Sequence, residues 1–304
     1  MIPADETFGG TFPFKPNFFD GRGFKQHYVD EGEGEPIICL HGEPTWGYLY
    51  RKFIPELSKT HRVIVPDHMG FGKSETPQDR EYSLKAHVEN LAALIEHLDL
   101  NDITFVCQDW GGPITGAYTV RNSDRVKRLC LMNTVLGYGG AVEGAEKVPP
   151  NDSPWFKWVR KNIEQGTYEE VLGNLGSTIL SVMKIIGFQK TRVVDNRWIA
   201  AYAGPFETKA DCKGAIEFPL DVVEGRIGKY VMEGLPGVEA LRKKPAMLAE
   251  GMKDRAILPE VAIADFKALF PKGPVVELPR AGHFCQEDVP EILVPLIQQF
   301  IQMT

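Results

Sequence analysis

The chain of 304 residues is 43% hydrophobic and 25% charged, the balance of an ordinary globular protein, which excludes disordered, collagen-like and fibrous classes. Its length suits one large domain or a core carrying one sizeable insertion. A formal charge of −7 with no dense run of Lys and Arg sets nucleic acid aside, because phosphate backbones are bound by clustered cations.

The longest apolar runs, such as Ala200-Ala201-Tyr202-Ala203 and residues 292–297, fall well short of the roughly 20 residues of a membrane span, so no membrane partner is expected. The opening Met1-Ile2-Pro3-Ala4-Asp5-Glu6 is acidic where a secretory leader is basic, which predicts a cytoplasmic protein. Five cysteines (Cys39, Cys107, Cys130, Cys212, Cys285) are odd in number and lack C-x-x-C spacing. They read as reduced, buried small hydrophobes.

Residues 8–24 carry six Phe among Gly and Pro and read as an aromatic strap over the core. β-Branched runs follow at 36–40, 62–66, 103–107 and 126–131. They alternate with longer amphipathic stretches in the rhythm of βα units. Leu84, Val88, Leu91, Leu94, Ile95 and Leu98 recur at helical spacing within 83–98. From 134 to 235 the strand rhythm stops. A Gly-rich, Pro-bearing stretch at 137–150 leads into helical segments at 153–165, 168–180 and 194–203. Strands resume at 246–250 and 275–278, and a helix at 289–301, in which Pro295 predicts a kink, closes the pattern. The expected fold is α/β, a doubly wound, mostly parallel sheet formed by residues 1–133 and 236–304 with a helical insertion at 134–235. Such an insertion sits where the strands' C-terminal ends bind ligands, and reads as a cap over a site; a helical unit serving only packing is the plainer alternative.

The strong polar signals all stand just after predicted strands. Cys107-Gln108-Asp109-Trp110-Gly111-Gly112 passes from strand to helix with small residues two before and two after Asp109, the geometry of a nucleophile elbow that lifts one side chain above the sheet. Alone, the string also fits an ordinary turn with an N-capping Asp. Its companions add weight. In His41-Gly42-Glu43-Pro44-Thr45-Trp46 the backbone N–H after Gly42 suits half of an oxyanion hole, with the N–H of Trp110 as the other half. Gly251-Met252-Lys253-Asp254 and Ala281-Gly282-His283-Phe284 follow the last two strands, giving the chain order nucleophile, acid, histidine. A lone His is more often structural; its position here assigns His283 to catalysis.

These motifs, with Asp67-His68-Met69-Gly70-Phe71-Gly72-Lys73-Ser74 and Gly282-His283-Phe284-Cys285-Gln286-Glu287, resemble the α/β-hydrolase superfamily across nearly the whole chain. Within it they are similar to haloalkane dehalogenases that place the acid after the seventh strand and use two tryptophans for halide. The resemblance implies Asp109, Asp254 and His283 as a catalytic triad and Trp110 as one halide ligand. The second is taken as Trp158, with Trp155 competing three residues away; Trp198 reads as packing in a cap helix. His68 replaces the more usual apolar residue of its loop. Asn133 occupies the place where other subgroups carry their acid, which favours Asp254.

The residue types suit displacement at a saturated carbon. An ionised carboxylate attacks without a general base, and indole N–H groups donate to a departing halide without offering a competing acceptor. Hydrolysis of the resulting Asp109 ester by a water activated by His283 yields an alcohol, a halide ion and a proton. Neither metal nor organic cofactor is required, and no cluster has metal-ligand spacing. The side chain of Glu43 reads as a solvated or hydrogen-bonded loop carboxylate. The nearest rival is an epoxide hydrolase, which needs cap tyrosines (Tyr138, Tyr168, Tyr202 and Tyr230 are available), although Gln108 and Glu43 depart from its pattern. A β-lactone decarboxylase normally has Asn at the place of Glu43. A non-catalytic ligand-binding protein on the same scaffold stands against the complete triad.

Overall fold

Runs of β-branched residues buried on both faces pair with one another under helices. In the computed structural model, which describes residues 2–304, they form one eight-stranded sheet; Met1, the first residue of the acidic opening, lies outside the described residues. The strands are β1 (Asn17–Phe19), β2 (Gln26–Glu31), β3 (Pro36–Leu40), β4 (Arg62–Pro66), β5 (Ile103–Gln108), β6 (Val126–Met132), β7 (Ala246–Gly251) and β8 (Val275–Leu278). Their spatial order is β1-β2-β4-β3-β5-β6-β7-β8. β2 pairs antiparallel with both β1 and β4, and the remaining neighbours are parallel. β1 and β2 differ from the sequence expectation. β2 reads Gln-His-Tyr-Val-Asp-Glu, and its polar residues are accommodated by β4 and its loop, as where His27 Nδ1 meets Asp67 Oδ2 at 2.8 Å. The strap expected at 8–24 contains β1, while Phe8 and Phe12 pack edge-on against Trp46.

Register decides where chemistry gathers. Leu40 is level with Cys107, Gln108 with Met132, and Met132 with Ala249. The loops leaving β3, β5, β6 and β7 therefore start at one height, and Gly42, Asp109, Asn133 and Glu250 come together. The order in which strands are added reverses at β3, with β4 on one side and β5 on the other, the switch point at which open α/β sheets hold ligands.

Between β6 and β7 the helices Pro154–Glu164, Tyr168–Leu172, Leu175–Ile186, Asn196–Ala203, Lys213–Val223 and Ile227–Glu233 fold over this edge. The stretch expected as one helix at 168–180 is divided at Gly173 and Asn174. Lys213–Val223 was not anticipated because it carries Pro219 inside, normally a helix breaker. The final helix, Pro290–Met303, runs through Pro295. Among the contacts that tie these helices to the sheet layer, Trp46 Nε1 donates to the Ala201 carbonyl at 2.8 Å, Tyr202 Oη to Glu287 Oε1 at 2.7 Å, and Leu84 N–H to Asp221 Oδ2 at 3.0 Å. The loop leading into the insertion is pinned by buried Asp265, which accepts from the N–H groups of Leu136 and Gly139 at 2.8 Å. All five cysteines are free and buried. Among the described residues no helix is long and apolar enough to cross a membrane.

Candidate active site

At the end of β5 the chain turns sharply into the helix Gly111–Thr119, and Asp109 at the apex has φ +50°, a left-handed conformation that costs a residue with a Cβ about 1–3 kcal/mol. Surrounding bonds hold it there. The Asp109 N–H donates to the Asn133 carbonyl at 3.2 Å, and the Asp109 carbonyl accepts from Gly112 N–H at 2.9 Å and Thr134 Oγ1 at 2.5 Å. A Cβ on Gly111 would press on the Leu40 carbonyl, so the tight turn requires glycine.

The Asp109 carboxylate meets two groups. Oδ1 accepts from the backbone N–H of Glu43 at 2.7 Å, and Oδ2 lies 3.2 Å from His283 Nε2. Gly42 lets the loop approach this closely, since a Cβ there would collide with Asp109 and come within 2.6 Å of the Trp110 nitrogen. On its other side, His283 Nδ1 donates to Asp254 Oδ2 at 2.8 Å. Asp254 is itself fixed: Oδ1 accepts from Ala256 N–H at 2.7 Å and Ile257 N–H at 3.1 Å, and Oδ2 from Asn133 Nδ2 at 2.9 Å. The structure thus brings Asp109, His283 and Asp254 into one line. Burial by itself would lower the basicity of His283, but the carboxylates of Asp254 and Asp109 outweigh it and push the pKa up to about 10.

Two further carboxyls stand nearby, and neither was recognised as such from the sequence. Glu43 is not a solvated or hydrogen-bonded loop carboxylate: it is buried, and both side-chain oxygens lack a protein partner. Desolvation, reinforced by Asp109, raises its pKa well above the ordinary value. Glu250, 3.1 Å from Asn133 Nδ2, is pushed the same way by burial and by Asp254. The only sequence signal for either was a carboxyl residue beside the end of a strand.

Above Asp109 lies a cavity of about 170 Å³. Its polar wall comprises Glu43, Asp109, Asn151 and the tryptophans Trp110 and Trp155, and Pro113, Val135, Phe156, Pro219, Val222 and Ile257 are among its apolar residues. Trp110 is stacked on Phe218 of the insertion, with centroids 4.3 Å apart and planes at 11°. Trp158, the expected partner of Trp110, is not in the wall. It stacks behind Trp155 with centroids 5.2 Å apart, while Trp155 is fastened through its backbone N–H to the Arg255 carbonyl at 2.9 Å. Residues three apart share one helix face, and of the two only Trp155 lines the cavity. Trp198 is buried between Phe188 and Tyr202. Of the four tyrosines an epoxide hydrolase would recruit, none lines the cavity: Tyr168 donates to the Ile216 carbonyl, Tyr202 to Glu287, and Tyr230 lies under Arg121. Among the described residues no group of three His, Cys, Asp or Glu side chains is arranged to hold a metal ion.

Residues 35–290 match the family described as the alpha/beta hydrolase fold. The chain belongs to that family. This hydrolase is 33% identical over 298 residues to haloalkane dehalogenase 2 of Mycobacterium tuberculosis H37Rv, covering 95% of the chain and 96% of the relative. It is 30% identical to a cis-3-alkyl-4-alkyloxetan-2-one decarboxylase of Shewanella oneidensis MR-1, covering 96% and 90%. Among solved structures, the hydrolase resembles the tetrameric haloalkane dehalogenase of Paraglaciecola agarilytica NO2, with a TM-score of 0.73, 32% identity, and coverage of 95% of this chain and 92% of that one.

Proposed function

We propose that this hydrolase cleaves haloalkanes to alcohol, halide ion and proton through an ester on Asp109. The observation that carries this reading is a carboxylate at the elbow, 3.2 Å from His283 and opening onto an apolar cavity that also holds two tryptophans. Residues 1–133 and 236–304 supply the catalytic groups, and residues 134–235 the lid. Asp109 Oδ2 attacks the halogen-bearing carbon, the C–O bond forms as the carbon–halogen bond breaks, and the indole N–H groups of Trp110 and Trp155 receive the halide. An unpaired ion would be costly in such a cavity. Esterification removes the negative charge of Asp109 that helps hold the proton on His283, so the imidazole becomes a base when a base is needed. It takes a proton from water as the water oxygen adds to the Asp109 carbonyl carbon. The N–H groups of Glu43 and Trp110 stabilise the oxyanion on Oδ1, and collapse expels the alcohol, to which His283 returns the proton. The runner-up, decarboxylation of a β-lactone, has support in the Shewanella relative but not in Glu43, where such enzymes normally carry Asn.

Halide release from 1-bromobutane, run beside styrene oxide, tests the assignment: bromide is expected and epoxide opening is not. Trp155→Phe and Trp110→Phe each remove one donor to an anion, worth about 1.5–3 kcal/mol, and should slow the bromide burst about ten- to a hundredfold. Trp158→Phe keeps the stack behind Trp155 and should leave the burst near wild type. The reverse order for positions 155 and 158 would return the role to Trp158.

A further inference from the structure

His68 follows buried Asp67 in the loop after β4 and is itself buried, and its surroundings give it work. The loop is rigid, because buried Asp67 accepts from Gly47 N–H and Lys73 N–H at 2.8 Å each. From this base His68 grips His41 twice. Its backbone N–H donates to His41 Nε2 at 3.0 Å, and its own Nε2–H donates to the His41 carbonyl at 2.9 Å. The first bond fixes the His41 tautomer with its proton on Nδ1, which faces the Gly42 carbonyl at 3.1 Å. That carbonyl also accepts from Thr45 N–H at 2.9 Å and Thr45 Oγ1 at 3.0 Å. The far side of the same peptide plane is the Glu43 N–H, 2.7 Å from Asp109 Oδ1.

We propose that His68 is a positioning residue for ester hydrolysis, clamping His41 so that the Gly42–Glu43 peptide holds its N–H on the oxygen that becomes the oxyanion. The inference rests on the reaction assigned above. The clamp requires a neutral His41, and burial pulls His41 well below the ordinary histidine value; burial also brings His68 down to about 4. His41 Nε2 could not accept a bond if protonated.

The two chemical steps depend on this N–H differently. During alkylation the Asp109 carboxylate loses charge, so a displaced donor does not retard attack. During hydrolysis charge returns to Oδ1, and a donor out of line loses transition-state stabilisation, which for a complete deletion is about 10²–10³-fold. Rapid-quench kinetics with 1-bromobutane separate the steps, bromide burst reporting alkylation and decay of the alkyl-enzyme mass reporting hydrolysis. His68→Phe and His68→Leu, both lacking the donor, should keep the burst rate constant and slow ester decay about tenfold, so that alkyl-enzyme accumulates at steady state. His68→Gln, whose amide can donate to the His41 carbonyl, should restore most of the decay rate. First-order constants are independent of the fraction of folded protein, so partial misfolding does not imitate the result. Ester decay at the wild-type rate in the donor-less variants, or equal slowing of both steps without recovery in His68→Gln, overturns the clamp alone. A wild-type protein that forms no alkyl-enzyme overturns the dehalogenation assignment, and the clamp with it.

Discussion

Replacing His283 by alanine is expected to leave bromide burst intact and to stop the reaction at the ester, with intact-protein mass raised by one alkyl group per chain. Nucleophilic attack by an ionised carboxylate needs no base, whereas removal of a general base typically costs about 10²–10⁴-fold in the step it serves. The pH dependence follows from the same charges. In the free enzyme Asp254 and Asp109 hold the His283 pKa at about 10 despite burial, so the ring is protonated at neutral pH. Alkylation removes the Asp109 contribution, and the pKa in the alkyl-enzyme falls below that value. Ester decay in wild type should therefore rise with pH as the ring deprotonates, with a midpoint below about 10, and the limb should be absent in His283→Ala. A decay rate independent of pH in wild type would remove His283 from the base role.

Asp109→Ala is expected to abolish bromide release, by at least about 10⁴-fold, because loss of a covalent nucleophile leaves only binding and the oxyanion donor. The same variant should form no adduct with any haloalkane. Steady-state release and intact mass, measured on protein whose melting transition shows that it is folded, check both points. Bromide release at a tenth of the wild-type rate would mean that water attacks carbon directly and that the carboxylate is not the nucleophile.

Much of this site is legible in the linear chain because each group leaves the C-terminal end of a parallel strand, and register alone brings such ends together. Asp109 after β5, Asp254 after β7 and His283 after β8 need no knowledge of the insertion to be placed. The choice between Trp155 and Trp158 does, because both sit on one helix face and only the position of that helix over the sheet selects which indole meets the cavity. Phe218, stacked on Trp110, is hidden for a related reason, since its helix carries Pro219 and no local pattern announces it. β2 escapes because its burial is created by β4 and not by its own residues. The fate of Glu43 is likewise tertiary: a carboxyl that is solvated in most loops is here enclosed beside Asp109, Tyr168 and Cys212. His68 is conspicuous in sequence as an imidazole among apolar and glycine residues, but its meaning requires the distances to His41.

In the proposed reaction the Asp109 carboxylate is alkylated and then regenerated by water adding to its own carbonyl carbon. A single turnover of 1-bromobutane in H₂¹⁸O, followed by mass analysis of the peptide containing Asp109, tests it most directly. The label is expected in the Asp109 carboxylate and the butanol should carry ordinary oxygen; label in the butanol with none in the peptide would contradict the account.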